Sequence, residues 1–254
     1  MNSAVDHNHI TEVIHSYNPI LLSEMDSVKL MKRVDTKFMV SNAIALDWLM
    51  SIKNKYRVLE IDGVRIQTYS TQYFDTEDLQ FYFMHHNGKA NRFKVRKREY
   101  RESNMAFLEI KRKDQKAVTH KSRIPADEEH LEEIINPEEP FIEDTLGRKV
   151  QLFPQINTAF RRITLASVEA QERITIDLDL NFETADCRKK PNGLVIIELK
   201  QAKFNANSVA FQELRKLGVR NASLSKYCIG MAMCNPNLKA NAFKPKLRDI
   251  AKLK

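Results

Sequence analysis

Basic residues occupy every second position in the segment from Arg92 to Arg98. In a β-strand, side chains two positions apart lie on the same face of the sheet. One face of this strand is therefore entirely basic and carries Arg92, Lys94, Arg96 and Arg98. The opposite face begins with Phe93 and Val95. Four like charges on one strand face repel one another, and solubility does not require such an arrangement.

Charged residues alternate in the same way in four other segments. Their charged faces carry, in chain order, Arg33, Asp35 and Lys37; Glu109, Lys111 and Lys113; Arg173, Asp177 and Asp179; and Glu198 and Lys200. The last pair ends a strand whose other residues, from Leu194 to Leu199, are apolar, which indicates burial on both faces. A buried charge is tolerated only when it is paired or bound to a metal or ligand.

Any one of these strands, taken alone, is typical of an antiparallel sheet with its charged face in water. As a set they favour a different arrangement. We predict an α+β fold in which an antiparallel β-barrel of about eight strands has a polar, basic interior and is surrounded by helices. A barrel of this size encloses a lumen for one small or linear ligand. A chain of phosphates fits such a lumen, with a divalent cation held by the carboxylates.

The composition excludes two common nucleotide-binding designs and indicates an anionic partner. The chain has 6 glycines, whereas average usage would give roughly 18. They are too scattered for a Walker loop, which needs two glycines five positions apart, or for a Rossmann fingerprint. The 41 basic residues exceed the 33 acidic residues, and a net charge of +8 attracts polyanions such as polyphosphate, nucleotides or nucleic acid.

We predict three parts in the 254-residue chain: an N-terminal extension (1–18), one domain (19–234) and a basic C-terminal tail (235–254). The tail is expected to be disordered or loosely packed. Within the domain, a short helix is predicted to begin at Pro19, a second after a cap at Ser41 or Asn42, and another to span about residues 208–217. An acidic helix is predicted to span residues 127–135 and to be ended by Asn136-Pro137.

Three cysteines without metal-binding spacing indicate reduced thiols. The polar N-terminus shows no signal peptide, and the longest apolar run is too short to span a bilayer. A cytoplasmic location is expected, with peripheral association at the inner face of the membrane as a further option.

Eight short segments between about residues 20 and 233 carry a recognisable pattern. They are Arg33–Phe38, Tyr73–Thr76 (YFDT), Arg96–Tyr100 (R-x-R-x-Y), Phe107–Lys111 (E-x-K), Phe160–Arg162, Arg173–Asp177, Val195–Lys200 and Leu224–Tyr227. In kind and in order these segments resemble the VTC domain, the polyphosphate polymerase module of the vacuolar transporter chaperone family. That family belongs to the triphosphate tunnel superfamily, together with the CYTH enzymes.

Three departures from the family pattern are visible. The CYTH signature E-x-E-x-K is replaced by Arg33, Asp35 and Lys37, which favours the polymerase branch. Lys113 stands where family polymerases can carry a histidine, and it keeps a positive charge. Ser223 replaces a basic residue three positions before the closing lysine, so the cationic phosphate contact of that position is not expected here.

The resemblance implies transfer of the γ-phosphoryl group of ATP onto a growing polyphosphate chain. Arginine forks bind phosphate oxygens at two points, and lysines act as point charges along the phosphates. The candidate catalytic residues are Lys37, Arg96, Arg98, Lys111, Arg162 and Lys226. The candidate substrate-binding residues are Arg33, Lys94, Lys113, Arg173, Lys200 and Ser225. The candidate ligands for Mn2+ or Mg2+ are Glu198 first, then Glu109 and Asp177.

Two other functions fit the same pattern. A hydrolase of tripolyphosphate, or of the 5′ triphosphate of RNA, would differ only in having water as the attacking group. A non-enzymatic module would bind polyphosphate or RNA on its basic face. Aromatic residues interleaved with exposed cations would support nucleic-acid binding, but here the aromatic residues alternate onto the opposite face. The expected partners are therefore ATP and polyphosphate rather than nucleic acid, and any membrane coupling would come from a separate membrane protein.

Overall fold

A computed structural model of the chain describes residues 3–28, 33–116 and 118–253. Within these residues, eleven strands join into one sheet. They are β1 (Pro19–Leu21), β2 (Val34–Val40), β3 (Arg57–Glu60), β4 (Ile66–Asp75), β5 (Arg92–Tyr100), β6 (Met105–Lys113), β7 (Thr119–Ala126), β8 (Phe153–Ser167), β9 (Glu172–Thr184), β10 (Cys187–Lys189) and β11 (Val195–Gln201).

Seven α-helices accompany the sheet in the described part of the chain. They are α1 (Ser3–His15), α2 (Asn42–Ile52), α3 (Gln80–His86), α4 (Glu139–Leu146), α5 (Val209–Lys216), α6 (Lys226–Cys234) and α7 (Lys244–Lys252). Short 3-10 helices span Leu22–Val28, Lys53–Lys55, Arg101–Ser103, Asn136–Glu138 and Asn241–Phe243. None of the helices in residues 3–28, 33–116 and 118–253 has both the length and the apolar composition that a membrane crossing requires.

Eight long strands form a continuous antiparallel path in the order β2-β11-β9-β8-β4-β5-β6-β7. The path curls into a half-barrel, and no pairing joins its end strands β2 and β7 within the described residues. The short strands extend its margins: β10 pairs with β9, and β3 pairs with β8 and, in parallel, with β1. The predicted α+β fold, an antiparallel barrel of about eight strands surrounded by helices, is confirmed, with the eight strands forming a half-barrel.

The convex face of the half-barrel is apolar and is covered by helices. Helices α1, α2 and α5 pack over β2, β11, β9 and β8, where Trp48 is fully buried and donates a hydrogen bond from Nε1 to the Ala210 carbonyl at 3.0 Å. Helices α3, α6 and α7 share a second core with the first half of β8 and the second half of β9, and α4 covers β5 and β6. Because the apolar side chains point outward into these cores, the alternating charged residues point to the concave side.

Two of the predicted helices within the domain, those at Pro19 and at residues 127–135, are wrong in position. Pro19 begins strand β1, in which Ile20 is buried, and helical turns begin only at Leu22. Residues 127–135 form turns, and the helical segment begins at Asn136 and continues as α4. The physical reason is that Pro137 lies in the first helical turn, where its missing N–H costs nothing, so this proline marks the start of a helix rather than its end.

The C-terminal segment is ordered, so the expectation of a loosely packed tail is wrong for the described residues. Helix α7 begins after a 3-10 turn, and Phe243 and Ile250 are buried in the core that also contains Tyr82 and Tyr227. Phe243, Leu247 and Ile250 recur at helical spacing. That apolar stripe outweighs the charge of the segment, because burial of large apolar side chains stabilises the packed helix.

Candidate active site

The concave side of the half-barrel encloses a cavity of about 610 Å³ whose wall is strongly basic. Eleven basic side chains line it: Arg33, Lys37, Lys94, Arg96, Arg98, Lys111, Lys121, Arg162, Arg173, Lys200 and Lys226. Three acidic side chains accompany them: Asp35, Asp177 and Glu198. All eleven except Lys226 come from the strands of the half-barrel or the residue before β2, and Lys226 begins helix α6.

Strand register brings these residues together. Residues directly opposite each other in neighbouring antiparallel strands lie on the same face. Lys37 of β2 is opposite Glu198 of β11, and Asp177 of β9 is opposite Arg162 of β8. Lys111 of β6 is opposite both Lys94 of β5 and Lys121 of β7. Each alternating segment therefore contributes a row of charged side chains to the same concave face of the sheet.

Asp177 holds two predicted phosphate-binding cations in place. Its two oxygens accept hydrogen bonds from Nε and Nη2 of Arg162 at 2.5 and 2.8 Å, and one oxygen also pairs with the Nζ of Lys226. Burial alone would raise the pKa of Asp177, but Arg162 and Lys226 outweigh burial and keep the pKa well below its usual range. The carboxylate is therefore ionised, and it orients both cations at the cavity wall.

Glu109, a predicted metal ligand, lies behind the cavity wall. Its side chain is 0% exposed, and Oε2 accepts hydrogen bonds from Nε and Nη2 of Arg96 at 2.9 and 2.6 Å. Lys121 pairs with Oε1. Although burial raises the pKa of Glu109, Arg96, Arg98 and Lys121 lower it well below its usual range. Both oxygens are thus engaged by cations, and the carboxylate is not presented to the cavity.

Glu198 is the carboxylate best placed to bind a divalent cation. Lys200 binds its Oε2 at 2.5 Å, whereas Lys37 approaches Oε1 only to 3.4 Å, and the side chain is 19% exposed toward the cavity. Burial raises its pKa, but the neighbouring cations, Lys200 and Lys37 first, together outweigh burial and hold the pKa well below its usual range, so the carboxylate is ionised. No cluster of three or more metal-binding side chains occurs in the described parts of the chain. The donor set fits Mg2+ or Mn2+ held by one protein carboxylate, with phosphate oxygens and water as the other ligands.

Four cavity cations have no carboxylate partner within residues 33–116 and 118–253: Lys94, Arg98, Lys111 and Arg173. Burial lowers the pKa of Lys94 to about 8 and lowers that of Arg98. The charge of Arg96 and then burial lower the pKa of Lys111 well below its usual range. The Nε of Arg173 is buried and has no hydrogen-bond partner among the residues that the structure describes. These groups keep unused capacity to bind an anion.

The remaining predicted residues take different positions. Arg33 pairs with Asp35 at 2.8 Å, and both side chains are about one third exposed, so they lie at the rim. Lys113 is opposite Arg92 at the far end of β6 and does not line the cavity. Ser225 borders the cavity, and its hydroxyl accepts a hydrogen bond from the Cys228 N–H at 3.3 Å, which makes it the N-cap of α6.

Four further residues line the cavity that sequence reasoning did not assign to the site: Lys121 and Tyr69, and also Tyr73 and Tyr100, which it named only as parts of family motifs. Tyr69, Thr71 and Tyr73 occupy every second position and so share one face of β4, but none of them is charged, and the search for alternating charges did not detect them. Lys121 lies in a polar strand whose pattern gives no hint of which face is inside. Only the pairing of Lys121 with Lys111 shows that it faces the cavity.

The fold and the cavity together define a tunnel-type protein, a curled antiparallel sheet with a basic interior. A sequence model of the VTC domain matches residues 32–235, and this chain therefore belongs to the VTC domain family. No curated protein sequence matches the chain.

Two solved structures share the fold. One is a Bacillus halodurans protein proposed to be an adenylate cyclase, with a TM-score of 0.51 and 14% sequence identity, over 76% of this chain and 94% of that one. The other is a Hippeastrum protein, also proposed as an adenylyl cyclase and described as having a dominant triphosphatase activity. Its TM-score is 0.52 at 14% identity, over 83% of this chain and 99% of that one. At this identity the two structures support the fold alone.

Proposed function

We propose that this protein is a polyphosphate polymerase that transfers the γ-phosphoryl group of ATP onto a polyphosphate chain lying in the basic cavity. Membership of the VTC domain family supports the class of substrate. The observation that carries the proposal is the set of buried and half-buried cavity cations that have no carboxylate partner among the described residues, represented by Arg98 and Lys111. Uncompensated buried charge destabilises a fold, and it is retained where a ligand of opposite charge completes the site.

Phosphoryl transfer depends mainly on positioning and on neutralising charge. Arg96 and Arg162 are suited to clamp phosphates, since Glu109 and Asp177 fix the orientation of their guanidinium groups. Lys94 and Lys111 lie opposite each other and would follow the phosphate chain as point charges. A divalent cation bound at Glu198 would neutralise charge on the phosphate oxygens.

The protonation states favour phosphate over water as the attacking group. The terminal oxygen of a polyphosphate chain is already anionic at neutral pH, so it needs no general base. Water must lose a proton, either to a base or through activation by a bound metal ion, and the cavity carboxylates Asp177 and Glu198 are poor bases because their pKa values lie well below the usual range. The Hippeastrum relative, described as a triphosphatase, keeps hydrolysis of a triphosphate as the second candidate function.

One incubation separates these functions. Purified protein is mixed with ATP and Mn2+, and the products are resolved on a gel stained for phosphate chains. We expect a ladder of polyphosphate. Free phosphate without a ladder would support the hydrolase, and unchanged ATP would support a binding module.

Two substitutions test the site in the same assay. Arg98→Ala and Glu198→Ala are expected to reduce turnover at least about 100-fold while leaving the melting temperature close to wild type, because each removes a group that faces the ligand. Arg101→Ala is the matched control, since that side chain is 59% exposed on a turn outside the cavity. Full activity in either cavity variant would contradict the assigned roles.

A further inference from the structure

Tyr73 lines the cavity, and its hydroxyl group donates no hydrogen bond to any residue that the structure describes. Tyr73 is only 3% exposed, and its oxygen accepts a hydrogen bond from Nη1 of Arg96 at 3.2 Å. A guanidinium group donates hydrogen bonds and cannot accept one. Among the described residues, Arg96 is the only hydrogen-bond partner of this hydroxyl. The proton on the Tyr73 oxygen therefore has no acceptor within the described protein.

The ring of Tyr73 is held in place from behind. It stacks on Tyr227, with ring centroids 5.3 Å apart and planes inclined by 24°. The hydroxyl of Tyr227 donates to the carboxylate of Asp75 at 2.6 Å. Asp75 is fully buried and also accepts backbone N–H bonds from Phe81 and Tyr82 at 2.8 Å each. Since β4, α3 and α6 all meet at this carboxylate, the Tyr73 ring cannot swing away to find another acceptor.

The surroundings of the hydroxyl favour an anionic acceptor. Burial alone raises the pKa of Tyr73, but the charges of Arg96, Arg98 and Lys226 outweigh it and lower the pKa. These three groups project from β5 and α6 toward the same part of the cavity. A more acidic phenol is a stronger donor, and hydrogen bonds to charged acceptors are stronger than neutral ones.

We propose that Tyr73 contacts the substrate directly and donates a hydrogen bond from its hydroxyl to a phosphate oxygen of the chain bound in the cavity. The inference rests on the proposed function only in placing phosphates there, and it holds for a polymerase, a hydrolase or a binding protein. No proton is transferred in this contact. Tyr73 adds a neutral, fixed donor to a wall that otherwise binds phosphate through charge.

The test is the affinity for inorganic tripolyphosphate without a metal ion, measured by titration calorimetry. Tyr73→Phe keeps the ring stacked on Tyr227 and removes only the hydroxyl. We expect the dissociation constant to rise about 10- to 100-fold, the usual effect of losing one hydrogen bond to a charged group. Tyr17→Phe is the matched control, because that hydroxyl is buried outside the cavity and donates to the Leu49 carbonyl. The Tyr17→Phe variant should bind tripolyphosphate with the same affinity as the wild-type protein.

Melting curves confirm that both variants are folded, so that a change in affinity reports on the cavity. Equal affinities of wild type and Tyr73→Phe would overturn the inference, even if wild type makes a polyphosphate ladder from ATP. If Tyr73→Phe binds tripolyphosphate more weakly but the wild-type protein makes no polyphosphate ladder from ATP, the result would support the role of Tyr73 and contradict the polymerase function. Absence of tripolyphosphate binding by wild type would overturn both.

Discussion

Three carboxylates at or just behind the cavity wall are each shared by two cations from different strands or helices. The three sets are Asp177 with Arg162 and Lys226, Glu109 with Arg96 and Lys121, and Glu198 with Lys37 and Lys200. A buried ion pair contributes little net stability, because desolvation offsets most of the attraction. Its value here is geometric, since a shared carboxylate fixes the direction of two cationic side chains that would otherwise repel each other.

Glu109→Gln should separate a structural role for this carboxylate from a role as metal ligand. The substitution leaves Arg96 and Lys121 without a counter-ion, and removal of one partner of a buried pair typically costs about 3–5 kcal/mol. We expect the free energy of unfolding in urea to fall by about that amount. The affinity for Mn2+ in the presence of tripolyphosphate should not change.

Glu198→Gln is the matching variant for both measurements, urea unfolding and Mn2+ affinity. It should weaken Mn2+ binding while costing less stability, because Glu198 is partly exposed and its contact with Lys37 is long. Weaker Mn2+ binding in a stable Glu109→Gln protein would instead restore Glu109 as a ligand.

Binding of tripolyphosphate should be coupled to proton uptake. Burial lowers the pKa values of Lys94, Lys200 and Lys226 to about 8, and bound phosphates raise them again. Above pH 8 the empty site has lost protons that the complex needs, so affinity should fall as pH rises, by up to about tenfold per pH unit for each lysine involved. Calorimetry at pH 8.5, in two buffers with different ionisation heats, measures the uptake. Identical heats in both buffers would contradict this prediction.

Helix α6 is the element whose position decides part of the site. Its first residue is Lys226, and Tyr227 carries the hydrogen bond to Asp75. The helix lies so close to the sheet that a Cβ added at Gly230 would be 2.6 Å from Cδ1 of Phe182 and 2.8 Å from Cδ1 of Ile156. Glycine is therefore required here by close approach rather than by an unusual backbone conformation.

Gly230→Ala should move this helix outward and weaken the site. Alanine improves helix propensity by about 1 kcal/mol, but overpacking against the buried Phe182 ring costs typically about 1–3 kcal/mol. We expect a lower melting temperature and weaker tripolyphosphate binding, because Lys226 moves with the helix. Circular dichroism melts and calorimetry measure the two effects. A higher melting temperature with unchanged affinity would show that the helix is not tightly docked.

The molecule as a whole encloses much more positive than negative charge, with eleven cations and three carboxylates around one cavity. The end strands β2 and β7, which carry Lys37 and Lys121, are not joined by hydrogen bonds in the described residues. Repulsion across this open side acts against the half-barrel. A bound polyanion would attract both edges and hold the curled sheet together.

Tripolyphosphate should therefore raise the melting temperature. At 100 times its dissociation constant, a ligand that binds only the folded state adds about 2.7 kcal/mol, which corresponds to roughly 5–10 °C for a protein of this size. Differential scanning calorimetry measures the shift. Sodium chloride at the same ionic strength is the control and should give a much smaller change, since it screens the charges without bridging them. Equal shifts of the melting temperature with tripolyphosphate and with sodium chloride would argue against a specific binding site.

Local pattern alone was enough to predict the concave wall and the fold class. Side chains alternate strictly in a strand, so Arg96 and Arg98 had to share a face opposite Phe93 and Val95. Antiparallel pairing of such strands, with apolar faces needing cover, leads to a curled sheet surrounded by helices. The same local logic failed at Pro137 and in the tail, where a proline and a run of charges were each given too much weight.

Only the tertiary structure decided which charges are available. Glu109 and Glu198 belong to the same kind of E-x-K strand, yet one is enclosed between Arg96 and Lys121 and the other faces the cavity. The sequence determines the face on which a side chain lies, because that depends on neighbours along the chain. Register between strands and the docking of helices depend on packing between distant segments, and these set the partners, burial and pKa of each group.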